Sequence, residues 1–329
     1  MPLCTFLFVE SPRVETKPGL TVARLQRLAR ALQAAVKSDL ATDFLNATSA
    51  LPWIQPRKLY QDPESKELYP SSQIASISAE RRWKLVSRSF DEHDCYEGRY
   101  GMPLSYAVFV DALSDFGVRS LSGKRVLDLG FASILPLRLM ACLGATVTGI
   151  DTDKLPHALY DFEGDTGPIR TVRGRTIDRS HDGSVTLKKG RLGVDWTPQP
   201  AAFDFILSRN TLKQGYVHPR PEHALEPNVK LKLTDEAFLG TVRGALANGG
   251  LFAIYNTFDP TDNGPGADGR CPFTREQLTS AGFEVVAHDQ PDEQRSLAFV
   301  AAADAAGRDL TGPLGKLSPR ALFTIARAV

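Results

Sequence analysis

The chain has 329 residues, with 39 Lys and Arg balanced by 38 Asp and Glu and an apolar share of 42%. A net charge of +1 with no long single-sign run argues against a partner gripped through rows of phosphates or an anionic bilayer, so neither nucleic acid nor membrane is expected as a partner. Cys4, Cys95, Cys142 and Cys271 lie far apart, without a CxxC pair or a His at ligand spacing, so no metal site or disulfide framework is expected.

The apolar start, Leu3 to Val9, is too short for a signal segment, and no stretch reaches the ~20 apolar residues of a membrane span. A cytoplasmic location is the expectation. Residues 1–120 read as a helical cap. The spacing of Leu25, Leu28, Ala29 and Leu32, with Arg24, Arg27 and Arg30 opposite, predicts an amphipathic helix over Val22–Val36. A proline-bearing stretch, Pro52–Pro70, follows, and then further helices are predicted over Ser78–Ser89 and Pro103–Phe116.

Residues 121–329 change rhythm, to short β-rich runs alternating with helices, the pattern of βαβ units around a mostly parallel sheet. Strands are predicted at Arg125–Gly130, Thr146–Asp151, Ser184–Lys188, Phe203–Ser208, Leu251–Thr257 and Phe283–His288. Helices are predicted over 135–143, 234–247, 274–281 and 293–306, and Ala321–Val329 reads as a last strand tucked in antiparallel. The fold class is therefore α/β, a doubly wound seven-stranded sheet with an N-terminal helical cap.

Such a sheet binds its ligand beyond the carboxyl ends of the strands, where the turn after the first strand lets the ligand approach the backbone. Gly130 occupies that turn, and Asp151, 21 residues further on, ends the second strand where an acid can accept hydrogen bonds from a ribose diol. Capping of the helix that begins near Lys154 is the alternative role for Asp151. A nicotinamide-type fingerprint, Gly-x-Gly-x-x-Gly, is absent from Gly130-Phe-Ala-Ser-Ile-Leu135, which disfavours hydride transfer.

Val126-Leu-Asp-Leu-Gly-Phe-Ala-Ser133 and Gly149-Ile-Asp-Thr-Asp153 resemble the first two motifs of the class I S-adenosylmethionine-dependent methyltransferases. Phe203-Asp-Phe-Ile-Leu-Ser-Arg-Asn210 and Leu246-Ala-Asn-Gly-Gly-Leu-Phe252 resemble its fourth-strand motif and the turn into its fifth strand, extending the likeness over roughly 122–329. The resemblance implies S-adenosylmethionine as cofactor and methyl transfer to a small, secondary-metabolic acceptor. It places Asp128 and Gly130 beside the methionine part, Asp151 at the ribose hydroxyls and the segment Lys189–Asp195, through Arg191 or Asp195, near adenine, and it counts Phe131, Ala132, Ser133, Thr152 and Ser208 among the cofactor-binding residues. The loop departs from the family in having side chains where two or three glycines are usual.

The polar run 208–219 lies where this architecture takes its second ligand. His218 is a candidate base, with a surface-loop histidine as the alternative; Tyr216 can orient an acceptor or face a sulfonium; Asn210 can bond cofactor or acceptor, or simply hold a turn. In the cap, Arg99 can pair with the cofactor carboxylate, with Tyr100 beside it, or form an ordinary surface pair with Glu97 or Asp94. Asp259, Asp262, Asp268 and Arg270 are further pocket candidates whose loop composition is also plain turn chemistry. Two other functions stay open: cyclisation of S-adenosylmethionine itself to azetidine-2-carboxylate and methylthioadenosine, suggested by the glycine-poor loop, and cofactor binding without catalysis.

Overall fold

A computed structural model describes residues 19–97, 102–173, 176–177, 182–219, 231–258, 267–307 and 320–329. The N-terminal third opens with α1 (Leu20–Leu32) and α2 (Asp39–Asn46), whose buried stripes include Leu25, Leu28, Ala29 and Leu32, and Phe44 and Leu45. Glu92 caps α1 from a distance: its Oε2 accepts the N–H groups of Gly19, Thr21 and Val22 at 3.0 to 3.3 Å, and its Oε1 accepts that of Ile54. These are the orphan donors of a helix start, here satisfied by a buried carboxylate placed at the positive end of the helix dipole.

β1 (Arg57–Gln61) pairs antiparallel with β2 (Leu68–Pro70) and, on its other side, with β3 (Val86–Phe90). The helix predicted over Ser78–Ser89 is thus corrected. Only α3 (Ala79–Arg82) is helical there, none of its side chains is buried, and the residues after it satisfy their backbone by pairing with β1 in the register Leu59↔Arg88. Without an apolar stripe to bury, four residues cannot propagate a helix. The N-terminal region therefore contains a three-stranded sheet besides its helices, which continue with α4 (Glu92–Tyr96) and α5 (Tyr106–Ser114).

The main sheet is built from β4 (Arg125–Leu129), β5 (Thr146–Asp151), β6 (Gly167–Ile169), β9 (Gly183–Lys189), β10 (Phe203–Arg209), β11 (Leu246–Phe258), β12 (Phe283–Pro291) and β13 (Arg320–Ala328). β7 (Val172–Arg173) and β8 (Thr176–Ile177) form a separate small hairpin. The order is β12-β13-β11-β10-β4-β5-β9-β6. β9, β5, β4, β10 and β11 run parallel, while β13 enters antiparallel between β11 and β12, as expected for the last strand. The seven predicted strands are joined by β6, a three-residue antiparallel addition on the β9 edge. Phe283–His288 runs on to Pro291, with register shifts that reach β13 again at Gln290.

Helices cover both faces: α6 (Ile134–Cys142), α7 (Lys154–Leu159) and α11 (Glu293–Ala305) pack on one, and α9 (Asp235–Ala245) and α10 (Arg275–Ser280) on the other. All nine residues of α6 are buried, because the sheet lies on one side of it and α2 on the other. Gly183 is required by that packing, since a Cβ there would run into the backbone carbonyl of Ala141. The apolar core on the α6 face is continuous from Val22 in α1 to Ile325 in β13. Arg295 ties α11 to the α5 region, bonding Asp111 and Asp115 at 2.8 and 2.6 Å and Asp292 at 2.8 Å. No helix of the described residues is long and apolar enough to cross a membrane.

Candidate functional site

The parallel strands β4 and β10 are neighbours, yet the chain leaves β4 toward β5 and arrives at β10 from the opposite direction, so their carboxyl ends flank the crevice of the switch point. Gly130 turns out of β4 at φ 73°, its N–H donating to the Ile150 carbonyl at 2.8 Å. A Cβ on Gly130 would collide with Thr211 of the turn after β10, so only glycine lets these two walls approach. Phe131 is buried against Gly149 and meets the edge of His157, with ring centroids 5.6 Å apart. Ala132 takes φ 47°, a left-handed conformation uncommon for alanine, and Ser133 caps α6 while donating its hydroxyl to the Tyr96 carbonyl at 3.0 Å.

Asp151 closes β5 with both oxygens engaged. Oδ2 accepts the Ala132 N–H at 3.1 Å and Oδ1 that of Asp153 at 2.8 Å, so the acid holds the loop after β4 in place. The helix α7 is capped by Asp153 instead, whose side chain accepts from Leu155. Burial raises the Asp151 carboxyl above its ordinary range, against the pull of those two N–H groups. Thr152 is exposed in the bend that follows.

Asp128 lies under the crevice floor, fully buried. Its Oδ1 accepts the Tyr106 hydroxyl at 2.5 Å, whereas Oδ2 is enclosed and has no partner. Burial, with the charge of Asp151 adding to it, pushes its carboxyl up to about 7, opposed by the Tyr106 hydrogen bond and by Arg209. Arg209 ends β10 with its guanidinium carbon 5.6 Å from the centre of the Tyr106 ring, and its Nε is likewise enclosed without an acceptor.

The run after β10 is used partly for structure. Ser208 is fully buried, and its hydroxyl accepts the Leu212 N–H at 3.0 Å. Asn210, at φ 60°, accepts the N–H and hydroxyl of Thr257 at 2.7 and 3.1 Å, which pins the end of β10 to that of β11. Lys213 donates to the Thr257 carbonyl and lies 5.4 Å from the centre of the Tyr216 ring, Tyr216 belonging to α8 (Gln214–Val217). Burial and the nearby Arg209 charge lower the Lys213 ammonium to about 8. Tyr216 is shifted upward by burial and by Asp268. His218 sits at the rim, exposed, with Nε2 3.1 Å from Asp235 Oδ2 at the start of α9. Asp235 also accepts from Gln277 at 3.0 Å, which fixes the carboxylate.

Arg191 and Asp195 pair with each other in the turn after β9, at 2.8 Å from the Arg191 N–H and 3.4 Å from its guanidinium. Asp268 and Arg270 reach the α8 turn through their carbonyls, which accept from Gly215 and Gln214, and Arg270 also bonds Asp289. Arg99, Tyr100, Asp259 and Asp262 lie outside the described residues. A cavity of about 460 Å³ opens beside the site, between α7 and β9, lined by His157, Tyr160, Leu187 and Lys189 among others.

Tyr106, Arg209, Thr211, Lys213 and Asp235 contact the candidate residues or one another, and the motif reading passed over them. Arg209 had a readable signal, a cation just past the apolar run Phe205–Leu207 at the end of a strand, a placement that burial makes costly unless something uses it. Tyr106 had none, because its partner is 22 residues away in another element.

No family model and no curated protein matches the chain. Among solved structures it is similar to the [4+2]-cyclase SpnF, at 16% identity over 70% of this chain and 83% of that one, with a TM-score of 0.39. It is similar also to an S-adenosylmethionine-dependent methyltransferase from Mesorhizobium loti, at 17% identity over 67% and 97% of the two chains and a TM-score of 0.40. A third is Phospholethanolamine N-methyltransferase 2 from Haemonchus contortus, solved with phosphomonomethylethanolamine and S-adenosylhomocysteine, at 15% identity over 83% and 68% and a TM-score of 0.39. At these values the likenesses carry no functional weight. The order and direction of this chain's own strands give it a class I methyltransferase-like fold.

Proposed function

We propose that the protein binds S-adenosylmethionine at the switch point and transfers its methyl group to a small-molecule acceptor. The observation that supports this most is the pair of acids at the ends of β4 and β5: Asp151 fixes the loop beside it, and Asp128 keeps one buried oxygen without a partner. An enclosed, unpartnered carboxylate oxygen is costly unless a ligand donates to it, and the ammonium of the methionine part has that chemistry. Gly130 supplies the bare backbone the ligand must pass, and Asp151 retains lone pairs for ribose hydroxyls. When bound, the cofactor supplies a methyl group on a sulfonium, an electrophile needing no further activation.

The chain's own work is positioning and proton removal. The β10–β11 half of the crevice, with Tyr216 and Lys213, receives the acceptor, and the rim histidine His218 takes its proton, held in orientation by Asp235. Segment 189–195, next to the cavity lined by Lys189, is assigned to adenine. The acceptor is a secondary metabolite, and the setting is cytoplasmic.

Calorimetry with S-adenosylmethionine and S-adenosylhomocysteine tests binding; absence of both would end this reading. A second reading, cyclisation of the cofactor, is supported by the strained Ala132 and the Thr211 contact that narrows the crevice at Gly130. Incubation with the cofactor alone separates the two, since only the cyclase releases methylthioadenosine without an acceptor. Binding without turnover under any condition would indicate a non-catalytic binder.

A further inference from the structure

Among the described residues, Arg209 and Lys213 are two cations at the end of β10 and in the turn after it, and both stand on the half opposite the ribose acid. Arg209 is in register with Tyr255 of β11, and Lys213 reaches the Thr257 carbonyl at the end of the same strand. Asp151, by contrast, ends β5, on the far side of β4. The guanidinium carbon lies 5.6 Å from the centre of the Tyr106 ring, and Tyr106, Tyr255 and Asp128 favour its charge against the cost of burial. Its enclosed Nε meets no acceptor. The Arg209 charge works against the Lys213 ammonium and Asp268 in its favour, and the hydrogen-bond acceptor of Lys213 is the neutral Thr257 carbonyl.

A guanidinium and an ammonium held together in a part-buried crevice, with donors left over, repel each other and are stabilised by an anion between them. The guanidinium fork matches a carboxylate in two parallel hydrogen bonds, and the ammonium adds a point charge. Resting on the methyltransferase reading for the identity of the first ligand, we propose that Arg209 and Lys213 form the acceptor subsite and that the acceptor carries a carboxylate. Such a group also offsets the charge that a sulfonium adds to a crevice already holding two cations. It anchors the acceptor beside Tyr216, leaving the remainder of the molecule to present its nucleophile.

The test uses three acid–amide pairs: acetate and acetamide, benzoate and benzamide, indole-3-acetate and indole-3-acetamide. Each is titrated calorimetrically into the full-length protein, with and without S-adenosylhomocysteine. At least one acid is expected to bind about tenfold or more tightly than its amide. Arg209→Gln and Lys213→Met, both checked for retained fold by circular dichroism, are each expected to erase that difference while changing S-adenosylhomocysteine affinity little. In wild-type protein carrying ¹⁵N-arginine, the Arg209 Nε–H resonance should move with the acid and stay with the amide, a readout that survives if a variant does not fold. Acids that bind no better than amides in all three pairs, or an unmoved resonance, overturn the proposal. So does an Arg209→Gln variant that loses S-adenosylhomocysteine but keeps methylthioadenosine, because the guanidinium then serves the cofactor's own carboxylate. Failure of wild-type protein to bind either nucleoside removes the methyltransferase reading, whereas the acid–amide contrast decides the anion site independently.

Discussion

Asp151 receives the Ala132 N–H on one carboxylate oxygen and the Asp153 N–H on the other, so a single side chain joins the exits of β4 and β5. Replacing Asp151 by Ala should weaken S-adenosylhomocysteine binding by about 1 to 3 kcal/mol, the scale of losing charge-assisted hydrogen bonds. Calorimetry reads this directly, and an unchanged affinity would take Asp151 out of the site.

His218 and Asp235 form a rim pair at 3.1 Å. If His218 removes the acceptor's proton, His218→Ala should lower kcat by about 10²-fold or more and leave nucleoside affinity intact. Asp235→Asn, which weakens the orienting contact but keeps the imidazole, should cost less. Full turnover in the alanine variant would return His218 to the role of an ordinary loop residue.

The Asp128 carboxyl, lifted by burial from 3.8 to about 7, holds its proton in the folded protein over a range where the unfolded chain has lost it. The folded state then binds more protons than the unfolded one, so this residue makes stability fall as pH rises from about 4 to 7 and contributes no further change above. Asp128→Asn should flatten that part of the profile and unfold at a higher temperature than wild type at pH 8. Thermal melts of the two proteins across this range, without nucleoside, provide the comparison; parallel profiles would show that Asp128 does not titrate there.

Arg57 and Asp165 make a buried bidentate pair, 2.7 Å for each bond, with Phe162 under the guanidinium at 4.6 Å. Breaking it from one side, with Arg57→Met or Asp165→Asn, should cost about 3 to 5 kcal/mol, because the remaining charge is left buried. The double replacement Arg57→Met with Asp165→Leu should cost less than either single change. Urea unfolding of the three variants measures this, and additive losses would contradict it.

The sheet was legible where side-chain chemistry and element coincide. Thr146–Asp151 is a β-rich run closed by an acid, and it forms β5 with those same limits. The Gly after β4 and the antiparallel Arg320–Ala328 were legible for the same reason. What the sequence concealed depends on distant partners. Val86–Phe90 is a strand because β1 lies beside it, and nothing within the segment announces that neighbour. Asn210 reads as a ligand contact or a turn residue, and its oxygen is used to hold Thr257, as that of Ser208 is used to hold Leu212. The Glu92 carboxylate finds its donors some 70 residues upstream, at the start of α1.

The bonds from Arg295 to Asp111 and Asp115 have a consequence for how the chain is made. Asp111 and Arg295 lie 184 residues apart, so this tie between α5 and α11 forms only after α11 has been synthesised, while α1 already has α2 and α4 to rest on.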